Sequence, residues 1–401
     1  MRIAIVVHGR FHAFDLAREL IKSGQDVYIF TNYPKNIAAR FGIPRHRVRN
    51  NLVHGIVSRV ANKLGNLFDY PILEPAMHRW FSRWAVRALQ RGEFAVVHSF
   101  SGVCEEVFRA PRPKPVLRTL TRGSAHIEEQ YEILCDEEKR SGYRTDAPSD
   151  WMRRRESREY ELADVIFVLS QFAFDSFVRR GVDRSKLRLL SLGTQSDLFR
   201  PTADKIKRRH RRMLEHEPLR VLNAGTFSLR KGAFDLVEIA RQTRDFARFR
   251  FVGTVVPKAA DLVKQAAALI EFAPKVSQFD LPKHYDWGDI FLFPTLEDGY
   301  AVVLAQAVAG GLPILATRNC AAPELVKQGE NGWVFPIRRA DLFVDKLKWC
   351  DTHRAELATM VGMAYGHYVP RDWSDVAQDF VSICAEARSG LSHKTIDVAR
   401  A

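Results

Sequence analysis

Short apolar, β-branched runs alternate with longer amphipathic segments along almost the whole chain, and no other feature narrows the choice of fold as much. Parallel strands need a crossover of a dozen or more residues, which a helix supplies, so the pattern predicts β-α units feeding parallel sheets. Two series can be read. The first has strand candidates at Ile3–Val7, Asp26–Thr31, Ala95–Phe100, Val116–Leu120, Val165–Ser170 and Leu187–Leu192. The second has Arg220–Ala224, Phe249–Gly253, Lys275–Phe279, Asp289–Pro294, Pro313–Thr317 and Gly332–Phe335. Each is long enough for its own open sheet.

Length agrees, since 401 residues allow two or three domains. The boundary is expected near residue 203, giving an N-terminal domain over 1–202 and a C-terminal domain over 203–371. A helix at about 372–387, with Val376, Phe380 and Ile383 on one stripe, returns to complete the first; the polar tail beyond Ala387 is expected to fray. At the junction, six of the eight residues from Lys205 to Arg212 are Lys or Arg. That stretch reads as a solvated linker helix or as a contact for a polyanion.

The five cysteines are scattered with neither disulfide nor zinc spacing, so a reducing compartment fits and no metal site is written here. Only five consecutive apolar residues, Ile3 to Val7, precede His8, too few for a signal-peptide core, so a cytoplasmic location is expected. The uncharged run Tyr300–Thr317 contains Gly310-Gly311-Leu312-Pro313 and reads as a buried helix followed by a buried strand rather than a membrane span.

The net charge of +14 is unevenly spread: residues 35–118 hold 15 Lys/Arg against 5 Asp/Glu, whereas residues 201–401 hold 28 against 24. A basic face suits an anionic partner: nucleic acid, a phosphate-bearing substrate or an acidic membrane. Within it, Leu52, Val53, Ile56, Val57, Val60, Leu64, Leu67 and Phe68 surround Arg59 and Lys63, and Trp80, Phe81 and Trp84 lie among Arg79, Arg83 and Arg87. Two readings stand side by side: an amphipathic helix packed on its own domain, and an interfacial helix on anionic lipid at the cytosolic membrane face.

Three segments carry chemistry. The first strand runs into His8-Gly9-Arg10, where ligands bind in open α/β sheets, although Gly9 serves a plain tight turn equally well. The second series opens with a strand, Gly225, Thr226 and then Arg230-Lys231-Gly232 before a helix, which places cations and free backbone donors where a pyrophosphate can sit. The spacing of a Walker loop is absent. Third, Pro294-Thr295-Leu296-Glu297-Asp298-Gly299-Tyr300-Ala301 leads into a nearly apolar helix interrupted by Gln306. Acidic residues at a helix start are often only caps. Asp298 and Gln306 are nonetheless about 12 Å apart or less along a helix axis, and Gln306 is expected to face a cleft.

The order of these motifs, with Glu159 to Asp164, Leu192-Gly193-Thr194, Asp197 to Pro201, Pro323-Glu324-Leu325-Val326 and Gly329-Glu330-Asn331-Gly332, resembles family 4 of the retaining glycosyltransferases. The resemblance implies the GT-B architecture, two Rossmann-like parallel-sheet domains facing each other across a donor cleft. It implies transfer of a sugar from a nucleoside-diphosphate sugar with retention, the leaving diphosphate taking the acceptor's proton and no metal or other cofactor being required. Lys231, with Arg230 beside it, would grip the diphosphate; Thr226 stands where the family's other cation is usual. Asp298 and Gln306 occupy the two positions of the family's glutamate pair, the first for hydroxyls of the transferred sugar and the second for the ribose. Backbone donors of Gly299, Tyr300 and Ala301 would face sugar and phosphate. His126 is the candidate for the N-terminal domain's catalytic histidine, with Arg122 assisting at phosphate or acceptor. Gly9 and Gly225 complete the donor set. The acceptor is expected to be a carbohydrate or a lipid-linked molecule, as in polysaccharide or glycolipid biosynthesis.

Two other readings remain. A GT-B sugar-nucleotide epimerase or hydrolase would need no acceptor. A basic nucleic-acid-binding protein fits the charge but lacks any zinc finger, helix-turn-helix or aromatic RNA-binding motif, so no nucleic-acid partner is expected.

Overall fold

The computed structural model describes residues 1–64, 70–367 and 371–400, with side chains left out at 62–64, 70–72, 367 and 391–400. Seven strands form the first sheet: β1 (Arg2–Val7), β2 (Asp26–Thr31), β3 (Val48–Asn50), β4 (Val96–Phe100), β5 (Leu117–Thr121), β6 (Val165–Val168) and β7 (Leu187–Leu189). Their spatial order is β3-β2-β1-β4-β5-β6-β7. Six more form the second: β8 (Leu219–Phe227), β9 (Ala247–Val255), β10 (Ile270–Pro274), β11 (Ile290–Phe293), β12 (Ile314–Thr317) and β13 (Gly332–Phe335), in the order β10-β9-β8-β11-β12-β13. Both sheets are parallel throughout, in registers such as Ile3 beside Val27 and Phe291 beside Ile314.

Helices cover both faces, so the central strands are buried on either side and read as continuous apolar runs; β1, β4 and β11 have almost no exposed residue. Each sheet reverses its strand order once, between β1 and β4 and between β8 and β11. Such a reversal opens a crevice at the carboxyl ends of the strands. The two crevices share one cleft.

After the second sheet the chain returns. The helix Trp373–Arg400 lays Phe380 against His98 of β4 and Phe167 of β6, at ring-centroid distances of 5.0 and 5.2 Å. The helix runs to Arg400. At the crossing, the Thr194 amide donates to the Arg371 carbonyl at 2.9 Å, and a Cβ on Gly193 would come within 2.5 Å of the Asp372 backbone.

Several sequence expectations change. Lys275–Phe279 is not a strand: β10 lies just before it and buries only Ile270, too little apolar signal to mark it, while Phe279 is 70% exposed. β3, Val-Arg-Asn with only Val48 buried, offers no apolar run to read. The basic junction forms the helix Ala203–Leu214, and three of its six cations are engaged by the second lobe. Arg209, only 2% exposed, donates to the carbonyls of Tyr285, Gly310 and Gly311, while Arg212 pairs with Asp289 and Lys205 with Asp286. The other three cations, Lys207, Arg208 and Arg211, remain exposed, as the solvated linker helix has them. In the helix Leu52–Leu64, the residues turned inward are His54 and Ser58, whereas Leu52, Val53, Ile56, Val57 and Val60 are exposed. Among the described side chains, that helix does not bury its apolar face on its own domain. Leu67 and Phe68 lie outside the described residues, and Phe81 is core rather than a surface anchor. Among the described residues, no helix is long and apolar enough to cross a membrane.

Candidate active-site cleft

The second lobe supplies most of the cleft's polar wall. After β8, Ser228 caps the turn Leu229–Lys231 through the Lys231 amide, and Gly232 follows in a left-handed conformation at φ +75°. A Cβ there would lie 1.9 Å from the Pro294 carbonyl oxygen, so only glycine lets this turn press on the end of β11. The contact is tied by Leu296 N–H to the Arg230 carbonyl at 2.9 Å and by the Thr295 hydroxyl to the same oxygen at 3.2 Å. As a result Lys231 meets Asp298 in an ion pair at the cleft wall.

Burial lowers the Lys231 pKa, with Arg230 adding to the effect against the pull of Asp298. Burial also works to raise the Asp298 pKa, but the charges of Lys231 and Arg230 prevail, and the carboxylate titrates below its ordinary value. Asp298 Oδ1 accepts the amides of Tyr300 at 3.2 Å and Ala301 at 3.1 Å. The expectation that those two amides face a sugar phosphate is therefore corrected: they hold the carboxylate. The amides left at the cleft are the first two of the helix Val302–Ala309, those of Val302 and Val303, for which no acceptor is found among the described residues. Gln306, one helical turn further along, also lines the cleft; its Oε1 accepts the Tyr285 hydroxyl at 3.0 Å, so the amide nitrogen is available to a ligand.

The cleft measures about 710 Å³ and is lined from both lobes. Of the sequence candidates it gathers Arg122, Gly225, Thr226, Arg230, Lys231, Asp298, Tyr300, Ala301 and Gln306. Gly9 does not reach it: at φ +117° it makes a turn, its amide donating to Asn32 Oδ1 at 3.0 Å and its carbonyl accepting the Thr31 hydroxyl at 2.8 Å. Gly299 is spent on lobe contact, because a Cβ there would meet the Gly123 carbonyl oxygen at 2.3 Å. His126 is also elsewhere. It caps the helix Ile127–Ser141, its Nδ1 accepting the Glu128 amide at 3.2 Å, and it packs on Tyr160 and Phe177 beside a separate cavity. Arg122 does line the cleft, but its guanidinium is engaged by Glu156, Gln130 and the Ala125 carbonyl, so it braces the loop after β5.

Sequence reading missed Glu297. Fully buried, it accepts the Ala125 amide at 2.7 Å and Gln130 Nε2 at 3.1 Å from the first lobe, and Arg230 at 3.1 Å from its own. Of two adjacent carboxylates, one faces the cleft and the other latches the lobes; that pair was the available signal. Also missed were Phe11, His12, Phe100 and Trp373, which form an aromatic wall on the first lobe.

Two open parallel-sheet lobes closing on a cleft with paired cations and a helix N-terminus define the GT-B class. One family model, described as Glycosyltransferase Family 4, matches residues 10–198, and another, Glycosyl transferases group 1, matches residues 218–351. The chain belongs to the group 1, family 4 glycosyltransferases.

The amylovoran biosynthesis glycosyltransferase AmsK of Erwinia amylovora is 28% identical over 138 residues, 30% of this chain and 33% of AmsK. A GDP-mannose-dependent alpha-(1-6)-phosphatidylinositol monomannoside mannosyltransferase of Mycobacterium tuberculosis is 27% identical over 226 residues, covering 52% of this chain and 58% of its own. The matches to curated relatives thus span about a third to three-fifths of those proteins. Among solved structures, sucrose-phosphate synthase from Thermosynechococcus elongatus superposes with a TM-score of 0.72 at 17% identity over 97% of this chain and all of its own. HepE of Anabaena, in complex with UDP-glucose, gives 0.66 at 14% identity over 96% and 100%. At these identities the structural likeness speaks for the fold.

Proposed function

We propose that the protein is a retaining glycosyltransferase that moves a sugar from a nucleoside-diphosphate sugar to an acceptor in polysaccharide or glycolipid biosynthesis. The observation that carries this reading is the Lys231–Asp298 pair, with Arg230 beside it, at the N-terminus of the helix Val302–Ala309 inside the cleft. The diphosphate sits on the amides of Val302 and Val303, where the helix dipole favours an anion. Lys231 and Arg230 balance the charge that builds on it as the sugar bond breaks, and such fixed charges stabilise a transition state without reorganising. Asp298 then accepts hydroxyl hydrogens of the sugar, and the Gln306 amide donates to the ribose. The leaving diphosphate takes the proton of the acceptor hydroxyl, so retention follows and the reading needs no metal or cofactor.

HepE is described in complex with UDP-glucose, and the mycobacterial relatives are named for GDP-mannose. The experiment is therefore a thermal-shift panel of uridine and guanosine sugars. A ligand that binds only the folded state raises the melting temperature, so at least one sugar nucleotide should do so, whereas a panel without effect would contradict the reading.

The protein works at the cytosolic face of an anionic membrane in this reading. Residues 35–64 carry seven Lys/Arg and no Asp or Glu, and the helix Leu52–Leu64 exposes Val53 and Ile56 at 63% and 60%. Apolar anchors set in a purely cationic segment match an anionic interface.

A further inference from the structure

The donor machinery just described belongs to the second lobe. Facing it, the first lobe presents Phe11, a residue 64% exposed although it lines a concave cleft. The ring stacks on Phe100 at 5.9 Å and 12°, and the residue remains mostly exposed. Its backbone has φ +41°, a region bulky residues avoid and one that recurs at ligand clamps. No packing gain in the protein offsets that cost, since the ring stays largely in solvent.

The next residue, His12, also lines the cleft and is half-buried, with Phe100 at 4.9 Å and Trp373 at 6.2 Å around its ring. Among the described residues none hydrogen-bonds its ring nitrogens. Burial lowers its pKa to about 4, so at neutral pH the ring offers one N–H donor and one lone pair. The same cleft is also lined by Arg10, Asp15, Ser101 and Gln195. An apolar ring face surrounded by hydrogen-bonding groups suits a pyranose, which has an apolar C–H face and a rim of hydroxyls. A lipid chain would call for a continuous apolar channel.

We propose that Phe11 and His12 form the acceptor subsite and that the acceptor presents a pyranose ring, stacked on Phe11 with a hydroxyl held by His12. This rests on the glycosyltransferase reading and adds the substrate class on the acceptor side.

The test is saturation-transfer NMR on the full chain with the methyl α- and β-pyranosides of glucose, galactose and mannose, in the presence of saturating UDP or GDP. A short-chain prenyl phosphate is the competing probe. At least one pyranoside should receive saturation at its ring protons. Phe11→Ala should weaken its affinity roughly three- to tenfold, the scale of one aromatic contact, and Phe11→Tyr should preserve it. His12→Leu should weaken it as well. Phe11 is exposed, so its variants should keep the wild-type melting temperature and its rise with nucleotide. Nucleotide binding without any pyranoside signal, a Phe11→Ala protein that binds as wild type does, or saturation of the prenyl phosphate alone would overturn the subsite while leaving the donor reading intact. Loss of nucleotide binding by the wild type would instead remove the reading beneath it.

Discussion

At the scale of single residues, the cleft is decided by where two neighbouring carboxylates point. Asp298 and Glu297 follow β11 side by side, and only the spacing to Gln306 marks Asp298 as the one at the site. The separation comes from the turn at Gly232, which pushes Lys231 toward one, and from the loop at Gly123–Ala125, which meets the other. Glu297 is buried with three donors, so truncating it strands Arg230 and an amide. Glu297→Ala should cost roughly 3–5 kcal/mol, as breaking a buried pair does, and Glu297→Gln less; chemical denaturation measures both, and a change under 1 kcal/mol in the alanine variant would argue against the latch. The cation pair was legible in the sequence because Arg230-Lys231-Gly232 follows a strand. His126 was misread because a lone histidine after a strand looks alike whether it faces a cleft or a neighbouring helix.

At the scale of elements, apolar runs flanked by helical periodicity could be read as strands, even one as short as Leu187–Leu189, whereas Val48–Asn50 and Ile270–Pro274 carry too little apolar signal. The helix Leu52–Leu64 is the instructive exception. Its periodicity was correct, but periodicity does not say which face meets the protein. Small and polar His54, Gly55 and Ser58 turn inward, and a Cβ on Gly55 would lie 2.2 Å from the Asn32 carbonyl oxygen, so close approach fixes the orientation. The exposed apolar residues then await a partner. Val53→Glu with Ile56→Glu should lower co-sedimentation with anionic liposomes by at least about tenfold, given ~1.5 kcal/mol or more for each buried apolar side chain, without changing the melting temperature. Equal sedimentation of the double variant, or of wild type with neutral liposomes, would count against membrane docking.

At the scale of the whole molecule, two lobes were legible because each sheet announces itself locally, whereas the contacts that clamp them join residues up to 200 apart. Arg338 pairs with Glu137, Arg140 with Asp235, and Glu297 reaches Ala125. The molecule also stores neutral histidines. Burial lowers His8, His98 and His126 to about 3 and His12 and His78 to about 4. Below pH 6.5 the unfolded chain binds protons at these sites that the folded one refuses, so stability falls with pH, by about 1.4 kcal/mol per pH unit for each histidine kept neutral. Glu159 opposes this: burial raises it to about 7, so folding takes up its proton between pH 7 and 4.5. Asp235 and Glu324, raised by burial, oppose it as well, while His54 and His284, lowered by burial, add to it; the histidines outnumber the carboxyls, and the melting temperature should fall from pH 6.5 to 4. A flat profile would show that the histidines are not held neutral.

All of these scales meet at the turn that carries Lys231. The most direct measurement is kcat/KM of Lys231→Met with the sugar nucleotide that stabilises the wild type, beside a melting curve to confirm the fold. The account expects a loss of about 10²–10³, the scale of removing one preorganised donor from a developing anion. A folded variant with kcat/KM within about threefold of wild type would contradict it.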